Sequence, residues 1–312
     1  MEINKSYNML YAYQKTNEYS NTNSTTVSKA ATGATEISQG VIYERKSAST
    51  VEYATYSSTG TINATYSNVT LSSNYLIQNA LNNLGFYNGP TDGYLSSDLS
   101  KKAIKNFQTT YGLTVTGEMD TTTKSVLEEA SNLKSNVHLS DGMASLADSL
   151  SLDATQTRNL SRIWAFLRVG MGLTAAQASG VLGNIYEESL FSETNAQDKC
   201  GYEGKYNTEY QYSTTDKVGY GLLQWTFSSR KQGLLDQAEE MDLSYTDINA
   251  QLAYFRSEMC GEFATVWNQI KNTATAAEVS DIFLREIENP EVKNYDERQD
   301  TSNTIYAQLK EF

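Results

Sequence analysis

"GVLGNIYEES", residues 180–189, decides how this chain is read. At roughly 100° per residue, Ala178, Val181, Leu182 and Ile185 fall on one stripe, so the segment reads as a helix with a buried face. Thr174 and Gln177 stand in a capping-box relation that starts it. Glu188 lands on the apolar stripe, whereas Glu187 lies roughly a third of a turn outside it and reads as a solvated residue. A carboxyl at the end of a buried face is desolvated, which favours its uncharged form, and a general acid must hold that form. A helix-end carboxylate that escapes to water past the last turn fits the same phase, so the decision rests on other parts of the chain.

"GYGLLQW", residues 219–225, favours the acid. Its two glycines allow close backbone approach, and Gln224 and Trp225 offer an amide and a stacking surface suited to an acetamido sugar. Tyr220 joins them as a substrate-binding candidate. The composition points the same way by exclusion. The lone histidine, His138, rules out both a histidine-centred triad in the folded domains and a multi-histidine metal site, so catalysis has to lean on carboxylates. No metal or organic cofactor is implied. A net charge of −13, from 37 acidic and 24 basic residues, disfavours a nucleic-acid partner. No stretch reaches membrane-spanning length, and the start lacks the apolar core of a secretory signal. The expectation is therefore delivery by lysis, by a phage or phage-like particle, or by a special secretion route.

With 312 residues the chain is long enough for two domains. Residues 1–71 are rich in Ser, Thr, Asn and Tyr and read as a low-complexity arm, irregular or β, with hairpin character. From residue 72 the texture becomes helical. "SSNYLIQNALNNLGFY" (72–87) carries Leu76, Ile77, Ala80, Leu81 and Leu84 on one face, with serines in front and Gly85 behind. "NGPTDGYLSSD" (88–98) is turn chemistry, and two further helices follow over "LSKKAIKNFQTTYG" (99–112) and "DTTTKSVLEEAS" (120–131). Gln78, Leu81 and Gly85, then Asp92-Gly93-Tyr94, Phe107-Gln108, Gly112-Leu113, Gly117 and Leu127 resemble the three-helix type of peptidoglycan-binding domain, over residues 72–131. The resemblance implies a module that tethers its neighbour to bacterial cell wall, with Asp92 and Tyr94 as candidate contacts. Residues 132–155 read as a linker with room for a short helix.

Residues 156–312 read as mainly helical. "GVLGNIYEES", then "GYGLLQWTFSSRKQGLL" (219–235), then "FLREIENPEVKNYDER" (283–298) resemble the phage tail lysozyme family of the lysozyme-like superfamily. The resemblance implies an α-helical lysozyme-like (α+β) catalytic domain. In it Glu188, just before a serine, is the general acid that protonates the glycosidic oxygen between N-acetylmuramic acid and N-acetylglucosamine. It also implies a structural role for Glu288, Pro290 and Arg298.

A hydrolase needs a second carboxylate on the opposite sugar face, and its separation from the acid decides inversion or retention. The insert after the helix offers Glu193, Asp198, Glu203, Glu209 and Asp216. Asp198 stands first and Asp216 second, because a loop opposite the helix end is where that group belongs. Cys200 lies in the same insert, where a bond to Cys260 or two free thiols fit equally well. The late tyrosine–asparagine motif of transglycosylases is missing, which favours hydrolysis over lytic transglycosylation of the same bond. The expected partners are peptidoglycan and, by the resemblance, phage or phage-like particle components, with action outside the cell or on a virion. A non-catalytic wall-binding or particle-structural protein is the reading from a different class, and retention of Glu188 with Gln224 weighs against it.

Overall fold

The computed structural model describes residues 41–47, 50–56, 62–63, 69–197, 210–289 and 294–312. The chain divides into two compact units, residues 1–72 and 73–312. In the first, β1 (Val41–Ser47), β2 (Thr50–Tyr56) and β3 (Ile62–Asn63) form an antiparallel sheet in the order β1-β2-β3, with Tyr43 opposite Tyr53 and Thr55 opposite Asn63. The hairpin character expected of the arm is present in β1 and β2.

The second unit opens with α1 (Asn74–Asn83), α2 (Asp98–Tyr111) and α3 (Thr121–His138). Ser73, Ser97 and Asp120 cap them, each accepting a hydrogen bond from a first-turn amide and so satisfying one of the helix's orphan donors. Two buried glutamines hold the turns between these helices. Gln78 donates to Asp92 Oδ1 (3.0 Å) and Ser100 Oγ (3.1 Å) and accepts from Gly93 N (2.7 Å). Gln108 accepts from Thr116 N and Gly117 N and donates to Glu118 O and Thr123 Oγ1. These bonds explain why amide side chains occupy two core positions: each replaces the water that the turn backbone would otherwise need.

The span expected to be a linker is mostly helical. α3 runs on to His138, and α4 (Asp141–Ser149) buries Met143, Leu146 and Ala147 at helical spacing, packing on the last helix of the chain. The three-helix module is not a separate body on a tether. An aromatic ladder crosses from it into the rest of the unit: Phe107 stacks on Tyr111 (4.5 Å), Tyr111 meets Phe166 edge-on (6.0 Å), and Phe166 meets Phe255 (5.9 Å). Thr110 Oγ1 donates to Asn249 O and Asn249 Nδ2 donates to Gly85 O across the same boundary. Beside it lies a cationic cluster of Lys134, Arg158 and Arg162 around His138. Burial, with Arg162 and Arg158 adding to it, pushes Lys134 down to about 7. Burial and the same cations push His138 well below its ordinary value.

α5 (Ala154–Ala165) passes through a π-helical turn, Phe166–Gly170, before α6 (Ala175–Ser189). α7 (Ser228–Glu240), α8 (Ile248–Cys260), α9 (Ala264–Lys271), α10 (Ala276–Phe283) with its π-helical extension Leu284–Glu288, and α11 (Tyr295–Leu309) complete the unit. Among the described residues of this part, β structure is confined to isolated bridges, at Thr194 and where Tyr220 pairs with Ala196 and with Trp225. Among the described residues, no helix is long and apolar enough to cross a membrane.

α6 is the axis of the unit, buried from Ala176 to Ile185. α10 and α11 lie so close to it that only glycine fits at two positions. A Cβ on Gly180 would sit 2.5 Å from Ala276 O and 2.6 Å from the Val279 side chain; one on Gly183 would meet Ser302 Oγ and lie 2.8 Å from Arg298 O. In an open helix Gly→Ala stabilises by about 1 kcal/mol. At Gly183 overpacking against backbone outweighs that gain, so Gly183→Ala should lower stability by about 1–3 kcal/mol in urea denaturation. The cationic cluster predicts a pH effect. A lysine with a depressed folded value binds fewer protons folded than unfolded, so its cost is full below about 7 and fades as pH rises toward 10.5. Lys134→Met should therefore stabilise the protein at pH 6, and its advantage over wild type should shrink by pH 9 in thermal denaturation.

Candidate active site

Glu188 sits in the last turn of α6 with 16% of its side chain exposed, and Arg298 Nη2 on α11 donates to its Oε1 at 2.6 Å. The other Nη of Arg298 reaches Asn184 Oδ1 (3.1 Å), one turn back on α6. Asn184 is itself fixed by donating to Gly180 O and to Ser280 on α10. The carboxylate is thus oriented by a guanidinium that is held by the same helix. Glu187 is half-buried rather than free in solvent, because Thr301 Oγ1 donates to it from α11 at 3.0 Å.

The helix stops abruptly after this pair. Leu190 (φ 53°) and Phe191 (φ 60°) both adopt left-handed backbone, a costly conformation for two non-glycine residues in succession. Ser189 Oγ donates to Ile185 O and Leu222 O, and Asn195 Nδ2 donates to Glu188 O. The serine after the glutamate therefore ties the helix end to the 219–225 loop.

That loop differs from the expectation at two residues. Trp225 has no exposed surface and its Nε1 donates to Glu258 Oε2 at 2.9 Å, so it presents no face to a sugar. Tyr220, 2% exposed, packs between Tyr210, Tyr212 and Tyr245. Both are core residues, since each has aromatic or charged partners from elements far along the chain. Gln224 is half-buried with φ 45°, and its Nε2 turns back to Asn195 O and Gly221 O. The residue that pins the loop is Gln251, absent from the sequence reading. It accepts from Leu222 N and donates to Glu193 O and Tyr245 O. Gly221 (φ 76°) is required beside it, because a Cβ there would lie 2.7 Å from its Oε1.

Asp216 faces an internal partner. Lys231, whose side chain is fully buried, donates to Asp216 Oδ1 (2.6 Å), Tyr210 Oη (2.8 Å) and Val218 O (2.8 Å). Tyr210 Oη also donates to Asp216 Oδ2, and these bonds hold Asp216 below its usual range despite the opposing effect of desolvation. Glu193 accepts from Asn159 Nδ2. Asp198, Cys200, Glu203 and Glu209 lie outside the described residues; Cys260 is an exposed free thiol.

Behind Glu188 lies a second acid–base group. Arg230 donates to both oxygens of Glu258 (2.6 and 3.0 Å) and stacks over Phe263. Glu288, the last residue of the π-helical extension, has a sealed Oε1 with no hydrogen-bond partner among the described residues. Burial raises it well above the usual carboxyl range, and the neighbouring Glu188 charge raises it further, against the pull of Arg230 and Arg298.

Comparison with protein families agrees with this architecture. Residues 158–309 match the phage tail lysozyme family and residues 74–127 match the peptidoglycan binding domain. The chain carries a peptidoglycan-binding domain followed by a phage tail lysozyme domain. No curated protein matches it in sequence. It is a lysozyme-like enzyme that acts on the cell wall. In the peptidoglycan-binding domain Asp92 serves the turn, accepting from Gln78 and from Tyr94 N, which hold its carboxyl below the ordinary value. Tyr94 is 68% exposed and free to touch a ligand.

Lys231→Met should cost about 3 kcal/mol in urea denaturation, because it strands Asp216, a tyrosine hydroxyl and a backbone carbonyl in the lysozyme domain. Asp216→Asn added to it should restore part of that loss, the signature of a coupled pair.

Proposed function

We propose that the enzyme cleaves the glycan strand between N-acetylmuramic acid and N-acetylglucosamine, with Glu188 as general acid. The supporting observation is the position of Glu188: it ends the buried face of α6, is oriented by Arg298, and still reaches solvent. Glu188 gives its proton to the glycosidic oxygen while the bond from that oxygen to the sugar carbon breaks, so the leaving group departs as a neutral hydroxyl. Asp198 is the proposed base or nucleophile for the hydrolytic route, and the half-buried amide of Gln224 the proposed contact for an acetamido group. Peptidoglycan is the substrate and phage or phage-like particle components are the proposed carriers, with action at the wall from outside the cell or from a virion.

Lytic transglycosylation of the same bond is the second reading. It draws on the engagement of Asp216 by Lys231 and Tyr210 and of Glu193 by Asn159, which removes two described acids from the pool of second carboxylates.

Glu188→Gln should reduce turbidity loss of purified walls by about 10²–10⁴-fold. Equal activity would end the assignment and leave the wall-binding or particle-structural reading. Mass spectrometry of the products separates the two enzymatic readings: reducing muramyl ends for hydrolysis, anhydro-muramyl ends for transglycosylation. Tyr94→Ala should weaken retention on purified walls by about fivefold, near 1 kcal/mol, with an unchanged melting temperature.

A further inference from the structure

Lys134 and His138 stand one turn apart on α3, Arg158 and Arg162 one turn apart on α5, and the two helices pack together. Contacts with the end of α1 close the group. Lys134 Nζ donates to Asn83 Oδ1 at 2.9 Å, and Asn83 is oriented for this by donating to Ser131 and Ser135. The Arg162 guanidinium lies against Gly85, so near that a Cβ there would sit 2.8 Å from its Cζ. Ser161 Oγ, beside Arg162, lies 3.2 Å from His138 Nδ1 and donates to Arg158 O. Among the described residues, none of the three cations, Lys134, Arg158 and Arg162, forms an ion pair. Arg158 Nη2 donates only to the Thr155 hydroxyl at 3.3 Å, and the sealed Nε of Arg162 has no hydrogen-bond partner among the described residues. Glu193 and Asp247 attract Arg162 from a distance, but Glu193 accepts from Asn159 and Asp247 caps α8. Burial and the Arg158 charge outweigh them and lower Arg162 to about 10. The carbonyl end of α1 supplies about half an elementary negative charge, which offsets one cation in part and leaves the others. The group is also within reach of solvent, because Arg158, Arg162, His138, Asn83 and Ser135 are all half-buried.

We propose that Lys134, Arg158 and Arg162 form a binding site for a carboxylate of the peptidoglycan stem peptide. The ligand class follows from the substrate: peptidoglycan carries carboxylates on its short peptides, and the adjoining domain is of the peptidoglycan-binding type. A guanidinium offers a carboxylate two parallel N–H donors, and an ammonium has three donors, of which the bond to Asn83 uses one. The site lies where the peptidoglycan-binding helices meet α5 of the lysozyme domain, so a bound peptide fixes its strand to both. The fold alone gives no reason for the lysine, because its burial weakens the free protein near pH 6. An anion that binds only the folded chain reverses that cost. The proposal rests on peptidoglycan as the substrate and not on which carboxylate cleaves it.

The test is retention of the full chain on purified walls, read separately from lysis, so that failure of Glu188 as the acid leaves it untouched. Lys134→Met and Arg158→Gln should each weaken retention by about fivefold or more. Lys134→Met should do so while its melting temperature at pH 6 rises, a combination that no folding defect produces. On walls whose carboxyl groups have been capped as neutral amides, the difference between variants and wild type should vanish. On walls stripped of phosphate polymers by hydrofluoric acid it should persist. Equal retention of variants and wild type on untreated walls overturns the proposal. A difference that survives capping also overturns it, and if that difference disappears on the stripped walls the ligand is a phosphate polymer instead. A soluble probe gives a second measurement: N-acetylmuramyl pentapeptide should raise the melting temperature of wild type and leave that of Lys134→Met unchanged. No rise in wild type, or an equal rise in both, overturns the site.

Discussion

The bond from Arg298 to Glu188 depends on how closely three helices can approach. Arg298 lies 110 residues after Glu188, and its guanidinium reaches both Glu188 and Asn184 because α11 rides against Gly183 and α10 against Gly180. A side chain at either glycine would push a neighbour outward by a sizeable part of an ångström. A 2.6 Å charge-assisted bond does not survive such a shift. The two glycines of "GVLGNIYEES" therefore fix the position of the Arg298–Glu188 pair as much as the charges do. Lysine in place of Arg298 would not serve, because only a planar fork can address an amide oxygen and a carboxylate one turn apart.

The opposite wall is fixed by polar groups that are themselves buried. Gln251 joins the segment after α6, the 219–225 loop and the start of α8 through three hydrogen bonds, and Lys231 gathers the 210–218 stretch around its ammonium. Fully satisfied, such groups specify one arrangement of the chain where an apolar core would allow several. The peptidoglycan-binding domain adds to this rigidity. It shares an aromatic ladder with the lysozyme domain, so the two are packed together rather than joined through a flexible linker.

Much of this was legible in the sequence wherever local periodicity carried it. The stripe that ends at Glu188, the capping pair Thr174 and Gln177, and the three helices with their two turns all follow from spacing alone. The helical character of residues 132–155 was legible too, through Val137, Met143 and Leu146, but frequent polar residues masked it. Long-range partners were not legible. Next to a glycine turn, Trp225 reads equally well as a stacking surface or a core residue, and the choice is made by Glu258, 33 residues away. Lys231 reads as a surface cation of α7 until Asp216 and Tyr210 fold over it.

The abrupt end of α6 follows from the same economy of space. Continued for another turn, the helix would carry Phe191 and Ser192 over the face where Glu188 meets solvent. Leu190 and Phe191 instead turn the chain in left-handed backbone, at about 1–2 kcal/mol each. Phe191 offsets much of that cost: it is fully buried against Tyr186, and such burial stabilises by about 1.5–3 kcal/mol. Its carbonyl accepts from the buried Asn159 of α5, and Ser189 locks onto Leu222. Strain at this point thus persists because the surrounding packing over-determines it. Its consequence is a carboxyl that belongs to a buried helical face on one side and reaches solvent on the other.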